Sequence, residues 1–136
     1  MIPIADIVAD HAGREGPLLP ILHDVQKTFG YISEDAIREI ANILNLTRAE
    51  VYGVVSFYHD FKTKVDDRPV IKLCRAEACQ ARGVDHLGAD AIPQERMKIK
   101  AIYCLGLCSV GPAAMIGDQV YARLDAQKFA ALVASA

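Results

Sequence analysis

The sequence predicts an α/β protein, in which an N-terminal helical bundle, residues 1–61, is followed by an α/β domain, residues 69–136. In the first half, apolar residues recur three and four positions apart, as they do on one face of an α-helix. The second half instead contains short apolar runs bounded by glycine and proline, which is typical of strands. With 136 residues, 52% of them hydrophobic, the chain can bury a core without crosslinks.

Helix boundaries in the first half are marked by residues that cap helices. Pro17 suits the first turn of a helix that Gly30 ends. Ser33 predicts the N-cap of the next helix, and Thr47 with Glu50 predicts a capping box at the start of another. Each of the four predicted helices has an apolar stripe along one face. The stripes begin at Ile4, Leu18, Ile37 and Val51, in chain order.

The second half is predicted to contain strands, a hairpin and helices. Residues 70–73 and 99–103 are apolar runs that predict two strands, with a weakly helical stretch between them. Gly117 and Asp118 predict a two-residue hairpin turn with glycine in the first position, and Asp125 predicts the cap of a final helix. The order strand, helix, strand, hairpin, helix is typical of a thioredoxin-like sheet.

Charge and composition exclude several classes of function. The net charge of −2 divides into −4 for residues 1–68 and +2 for residues 69–136, and neither half contains a basic stripe that would bind nucleic acid. The N-terminus lacks a basic segment followed by a long apolar run, so we expect a cytoplasmic protein with no signal peptide and no membrane insertion. No Gly-rich phosphate loop, paired-carboxylate site or Ser/His/Asp set stands out, and the four histidines share no spacing.

The cysteines form two tight pairs, each of which follows a predicted strand: Cys74-x4-Cys79 and Cys104-x3-Cys108. Because cytosolic thiols are kept reduced, four cysteines in such a chain favour metal ligation over disulfides. Neighbouring strands could present both pairs from one end of the sheet, and Gly106 and Gly111 would let the backbone approach sulfur. From spacing alone, a structural zinc site and a [2Fe–2S] cluster are equally supported.

Longer motifs extend the pattern beyond the cysteines. They are LLPILHDVQKTFGYIS at 18–33, TRAEVYGVVSFYHDF at 47–61, Arg82-Gly83 after the first pair, and YCLGLC at 103–108. With these motifs the chain resembles the thioredoxin-like [2Fe–2S] ferredoxins, the family of the small iron–sulfur subunit in the NADH-oxidising module of respiratory complex I. The resemblance favours one [2Fe–2S] cluster over zinc. It implies that Cys74 and Cys79 bind one iron and that Cys104 and Cys108 bind the other.

The resemblance also implies partners. In such proteins the helical first half docks on a flavin-bearing subunit, and we expect the aromatic segment 57–61 to contribute to that contact. Within the family, the segments 74–80 and 103–117 most resemble the gamma subunit of soluble NAD-dependent formate dehydrogenases. That likeness implies an electron-transfer subunit without substrate chemistry of its own.

The expected complex contains a flavin- and NAD-binding beta subunit with FMN, and a formate-oxidising alpha subunit with molybdenum or tungsten. The equivalent subunit of complex I or of an NAD-linked bidirectional hydrogenase is the alternative of the same class. A structural zinc-binding module is the alternative of another class.

Overall fold

A computed structural model, which describes residues 2–136, confirms the α/β architecture. By the density of internal contacts the chain divides into two units, Met1–Asp66 and Asp67–Ala136. The described part of the first unit contains four helices: α1 Ile4–Asp10, α2 Leu18–Phe29, α3 Glu34–Leu44 and α4 Arg48–Phe57. The second unit contains a four-stranded mixed sheet with two helices.

The helix caps lie where the sequence predicts them. The Ser33 hydroxyl accepts a hydrogen bond from the Ala36 N–H at 3.1 Å, which caps α3. At the start of α4 the N–H of Glu50 donates to the Thr47 hydroxyl at 3.1 Å, and the N–H of Thr47 donates to the Glu50 carboxylate at 2.7 Å. The hydrogen bonds from the Thr47 backbone and hydroxyl hold the pKa of Glu50 below its ordinary value. Gly30 ends α2 in the left-handed conformation, with φ of 83°.

The apolar stripes of the four helices meet in a core of their own. Its fully buried side chains include Ile21, Leu22, Val25, Ile40 and Val51. In α2, for example, Val25 follows Leu22 by three residues and Ile21 by four, which is the spacing that predicts the helix.

The sheet of the second unit has the strand order β2–β1–β3–β4. Its strands are β1 Val70–Cys74, β2 Lys98–Ile102, β3 Ala114–Ile116 and β4 Gln119–Tyr121. β1 and β2 are parallel, whereas β3 is antiparallel to both β1 and β4. The connection from β1 to β2 contains the short helix α5, Glu77–Ala81, and two 3₁₀ turns. The predicted order of elements is therefore confirmed.

A tight hairpin and a capped helix complete the second unit. Gly117 has φ of 56° at the first turn position between β3 and β4, a conformation that glycine adopts without strain. The Asp125 carboxylate accepts from the N–H of Lys128 at 2.7 Å and caps α6, Ala126–Ser135. Ile71 and Leu73 of β1 are fully buried in one core with Phe129 of α6. Within residues 2–136, every helix is too short or too polar to cross a membrane.

Candidate metal centre

The two cysteine pairs differ in exposure. Cys74 is the last residue of β1 and Cys79 lies in α5, and both side chains are buried. Cys104 follows β2, Cys108 begins a 3₁₀ turn, and both are exposed. None of the four forms a disulfide. One half of the centre is therefore embedded in the core and the other half lies at the surface.

The register of the sheet brings the two cysteine loops together. Cys74 lies opposite Ile102, the last residue of the parallel neighbour β2. The N–H of Arg75 donates to the Ile102 carbonyl at 2.8 Å, and the N–H of Cys74 donates to the Ala113 carbonyl at 3.0 Å. The chain therefore leaves β1 and β2 at the same edge, as the sequence predicts.

Backbone N–H groups converge on the sulfur atoms. The Cys74 sulfur accepts hydrogen bonds from the N–H groups of Ala76, Cys104 and Leu105, so the second loop is bonded to the first pair. In the second loop, the N–H of Gly106 donates to the Cys104 sulfur at 3.4 Å. Cys104 and Gly106 have φ of 79° and 75°, and left-handed residues in a short loop turn successive N–H groups toward one point. Such a loop stabilises negative charge on sulfur.

The thiol pKa values show that the sulfurs interact. Burial acts to raise the pKa of Cys74, but the backbone N–H donors outweigh it and the pKa is lowered. Burial, together with the hydrogen bond to Cys74, raises the pKa of Cys79. The hydrogen bond with Cys104 and the charge on the Cys104 sulfur raise the pKa of Cys108. The charge on the Cys74 sulfur raises it further. Since charge on one pair affects the other, the four thiols form one electrostatic group.

The donor set fits a two-iron cluster. The sulfurs of Cys104 and Cys108 are 3.6 Å apart. Two thiolates on one tetrahedral metal, each with a bond of about 2.3 Å, would be about 3.8 Å apart. Among the residues that the structure describes, no group of three or more His, Cys, Asp or Glu side chains is arranged to hold one metal ion. Two chelating pairs of thiolates are the ligands that the two irons of a [2Fe–2S] cluster take.

Gly111, which has no side chain, lies close to the Cys79 sulfur. A Cβ atom added at Gly111 would lie 3.0 Å from that sulfur and 3.4 Å from Cδ of Arg82. The sequence predicts a close backbone approach here but not which sulfur is approached. It also contains no sign of the N–H donors from Ala76 and Leu105, because a backbone N–H has no side-chain signature.

Two of the histidines lie in different units of the fold. His86 is exposed in a 3₁₀ turn of the connection between β1 and β2. His11 in the helical unit contacts the Asp24 carboxylate at 2.6 Å.

Known proteins resemble this chain over most of its length. The family model for thioredoxin-like [2Fe–2S] ferredoxins matches residues 4–136. The chain is 31% identical to subunit HndA of the NADP-reducing hydrogenase of Solidesulfovibrio fructosivorans, over 82% of this chain and 71% of that protein. It is 28% identical to NADH-quinone oxidoreductase subunit 2 of Thermus thermophilus, over 84% of this chain and 72% of that protein.

A solved structure shares the fold. The chain superposes on an NAD⁺-reducing [NiFe]-hydrogenase in its H₂-reduced state with a TM-score of 0.72 and 27% identity. The match covers 88% of this chain but 22% of the hydrogenase chain. The present chain therefore spans about a fifth of the solved chain that it matches.

Replacement of Cys74 or Cys108 by alanine should abolish cluster binding. Each replacement removes one of the four thiolates that the two irons need. We expect iron and acid-labile sulfide to fall to near zero, together with the visible absorption. His86→Ala is the control and should keep the full cluster content. Loss of the cluster in the histidine variant, with retention in a cysteine variant, would contradict this ligand set.

Gly111→Ala should disturb the cluster without unfolding the chain. The new Cβ atom would lie 3.0 Å from the Cys79 sulfur, a contact tighter than most that Cβ atoms make, so the sulfur or its loop must shift slightly. We expect a lower cluster content or a shifted spin-resonance spectrum of the reduced protein. Gly53→Ala is the matched control, because a Cβ atom added within α4 meets nothing within 4 Å. An unchanged spectrum in the Gly111 variant would show that the loop shifts and that the Cys79 sulfur keeps its position.

Proposed function

The chain belongs to the thioredoxin-like [2Fe–2S] ferredoxin family, whose members carry one [2Fe–2S] cluster, and from this premise we propose that it is the iron–sulfur electron-transfer subunit of an NAD(P)-linked oxidoreductase complex. Its cluster ligands are Cys74 and Cys79 on one iron and Cys104 and Cys108 on the other. The observation that carries the ligand assignment is the meeting of both pairs at one sheet edge, where N–H groups donate to sulfur.

The cluster supplies the one-electron chemistry, and the protein supplies the environment. Four thiolates hold the irons, and N–H donors from residues 76, 104 and 105 offset negative charge on the Cys74 sulfur. Because the second pair is exposed, one side of the proposed cluster would lie at the surface, where an electron can be exchanged with a partner. The chain itself binds no substrate in this proposal.

The partner common to every candidate complex is a flavin subunit that binds NAD(P). The relatives support a hydrogenase or an NADH-quinone oxidoreductase as the parent complex, since their names state those activities. The formate dehydrogenase parent rests on the motif Cys-Arg-Ala-Glu-Ala-Cys-Gln at 74–80. In that case the third partner is a formate-oxidising subunit with molybdenum or tungsten. If the parent is a formate dehydrogenase or a hydrogenase, we propose that the complex is cytoplasmic.

Purification of the native complex through a tag on this chain distinguishes the parents. We expect a flavin subunit to co-purify in every case. Molybdenum or tungsten with formate-dependent reduction of NAD⁺ identifies a formate dehydrogenase, and nickel or additional iron with hydrogen-dependent reduction identifies a hydrogenase. Quinone reduction by NADH identifies a complex I parent. A chain that purifies without any flavin subunit contradicts the proposed function itself.

The helical region 1–61 is the proposed docking element for the flavin subunit, while residues 69–136 hold the cluster. On α4 and just beyond it, Tyr52, Phe57 and Tyr58 are exposed by 54%, 73% and 42%. Tyr52 also lines a groove of about 330 Å³ between α3 and α4. Phe61, expected from the sequence to belong to this surface, is instead buried against the ring of His23, with centroids 4.9 Å apart. The candidate surface is therefore smaller than the segment 57–61.

Phe57→Ala should weaken binding of the flavin subunit. Aromatic residues at the centre of an interface contribute about 2 kcal/mol or more, so we expect an affinity lower by about thirtyfold or more. The fold should be unchanged, because the side chain is exposed. Val65→Ala is the control, since Val65 is exposed by 64% in the loop beyond α4. Equal loss of affinity in both variants, or in neither, would place the contact elsewhere.

A further inference from the structure

Arg82 is the cationic side chain that lies beside the buried half of the cysteine centre. It follows α5, three residues after Cys79, and its N–H donates to the Ala78 carbonyl at 3.1 Å. The position that a Cβ atom would take at Gly111 is 3.4 Å from Cδ of Arg82 and 3.0 Å from the Cys79 sulfur. The stem of Arg82 and the Cys79 sulfur therefore both border the space beside Gly111, while the Arg82 side chain as a whole is exposed.

The charge of Arg82 is not balanced by a carboxylate. Among the residues that the structure describes, none forms an ion pair or a hydrogen bond with its guanidinium. The nearby Arg75 differs, because its guanidinium donates to the Asp85 carboxylate at 2.6 Å. A guanidinium keeps its positive charge at the pH values at which proteins function. Arg82 therefore contributes a positive charge without an ion pair, on the segment that directly follows Cys79 and whose stem borders the same space as the Cys79 sulfur.

Reduction of the cluster changes the charge that Arg82 faces. An oxidised [2Fe–2S] cluster with four thiolates has a net charge of −2, and one electron, supplied by a reduced flavin of the partner or by an electrode, makes it −3. No bond forms or breaks in this step. A fixed positive charge attracts the reduced form more strongly than the oxidised form. Net charge near the cluster is one of the factors that set its potential.

From this geometry we infer that Arg82 raises the reduction potential of the cluster through its positive charge, which the chain carries three residues after Cys79. The inference rests on the proposed ligation of the cluster by the four cysteines. It does not require any particular parent complex.

A second role for the same side chain predicts different results. The aliphatic stem of Arg82 also borders the space beside the Cys79 sulfur, and the exclusion of water from that space can itself change a reduction potential. Methionine retains a long apolar stem without charge, whereas lysine retains the charge on a different stem. These two substitutions separate the effect of charge from the effect of coverage.

The test is a spectroelectrochemical titration of the full-length chain with its cluster reconstituted. We expect Arg82→Met and Arg82→Gln to lower the midpoint potential and Arg82→Lys to remain close to the unsubstituted protein. The difference should shrink as salt is added, because exposed charges are screened. Arg96→Met is the matched control: Arg96 is exposed just before β2, at the end of the sheet opposite the cysteines, and its loss should leave the potential unchanged.

Several outcomes would overturn the inference. If Arg82→Met and Arg82→Gln both keep the original potential, the charge has no role. If methionine keeps the potential while lysine and glutamine change it, coverage of the sulfur is responsible. If both neutral variants lose the cluster, Arg82 is needed to hold it rather than to set its potential. Because the titration uses the isolated chain, failure of the proposed complex in purification leaves this result unaffected, whereas a colourless, zinc-bound chain would overturn the ligation on which the inference rests.

Discussion

The parallel pairing of β1 and β2 is the constraint on which the candidate centre depends. β1 is bonded on both sides, to β2 and to β3, so its position is set by two ladders. Because parallel strands end at the same edge, the residues that follow β1 and β2 meet there, with Cys74 opposite Ile102. A slip of one residue would turn Cys74 to the other face of the sheet and separate the pairs.

Hydrogen bonds to sulfur then make the two loops a single unit. Cys74 accepts N–H groups from its own loop, at Ala76, and from the other loop, at Cys104 and Leu105. The left-handed conformation of Cys104 is uncommon for a residue with a side chain. It occurs here in a loop whose N–H groups serve two sulfurs, that of Cys74 and, through Gly106, that of Cys104. Backbone strain of this kind is often found at functional sites.

The difference in burial between the pairs has consequences for electron transfer. The iron proposed for Cys74 and Cys79 would lie against the core, where Gly111 and the Arg82 stem border the sulfur. The iron proposed for Cys104 and Cys108 would lie at the surface. A buried side sets the potential through fixed charges and dipoles, and an exposed side shortens the distance to a partner. The helical unit has its own core, so its exposed aromatic side chains are not needed for its folding.

The sequence by itself determined the local structure and the type of ligand that the centre offers. Interactions between residues near in the chain determine the caps at Ser33 and Thr47, the Gly117 turn and the order of strands and helices. The two cysteine pairs, each of which follows a strand, indicate that the ligands are thiolates. Only the tertiary structure decided that Phe61 is buried while Phe57 is exposed, that Gly111 approaches Cys79, and that Arg82 borders the same space as that sulfur. Burial and the approach of Gly111 to Cys79 depend on contacts between residues distant in the chain. Their identity depends on how the strands and loops pack, which no local pattern records.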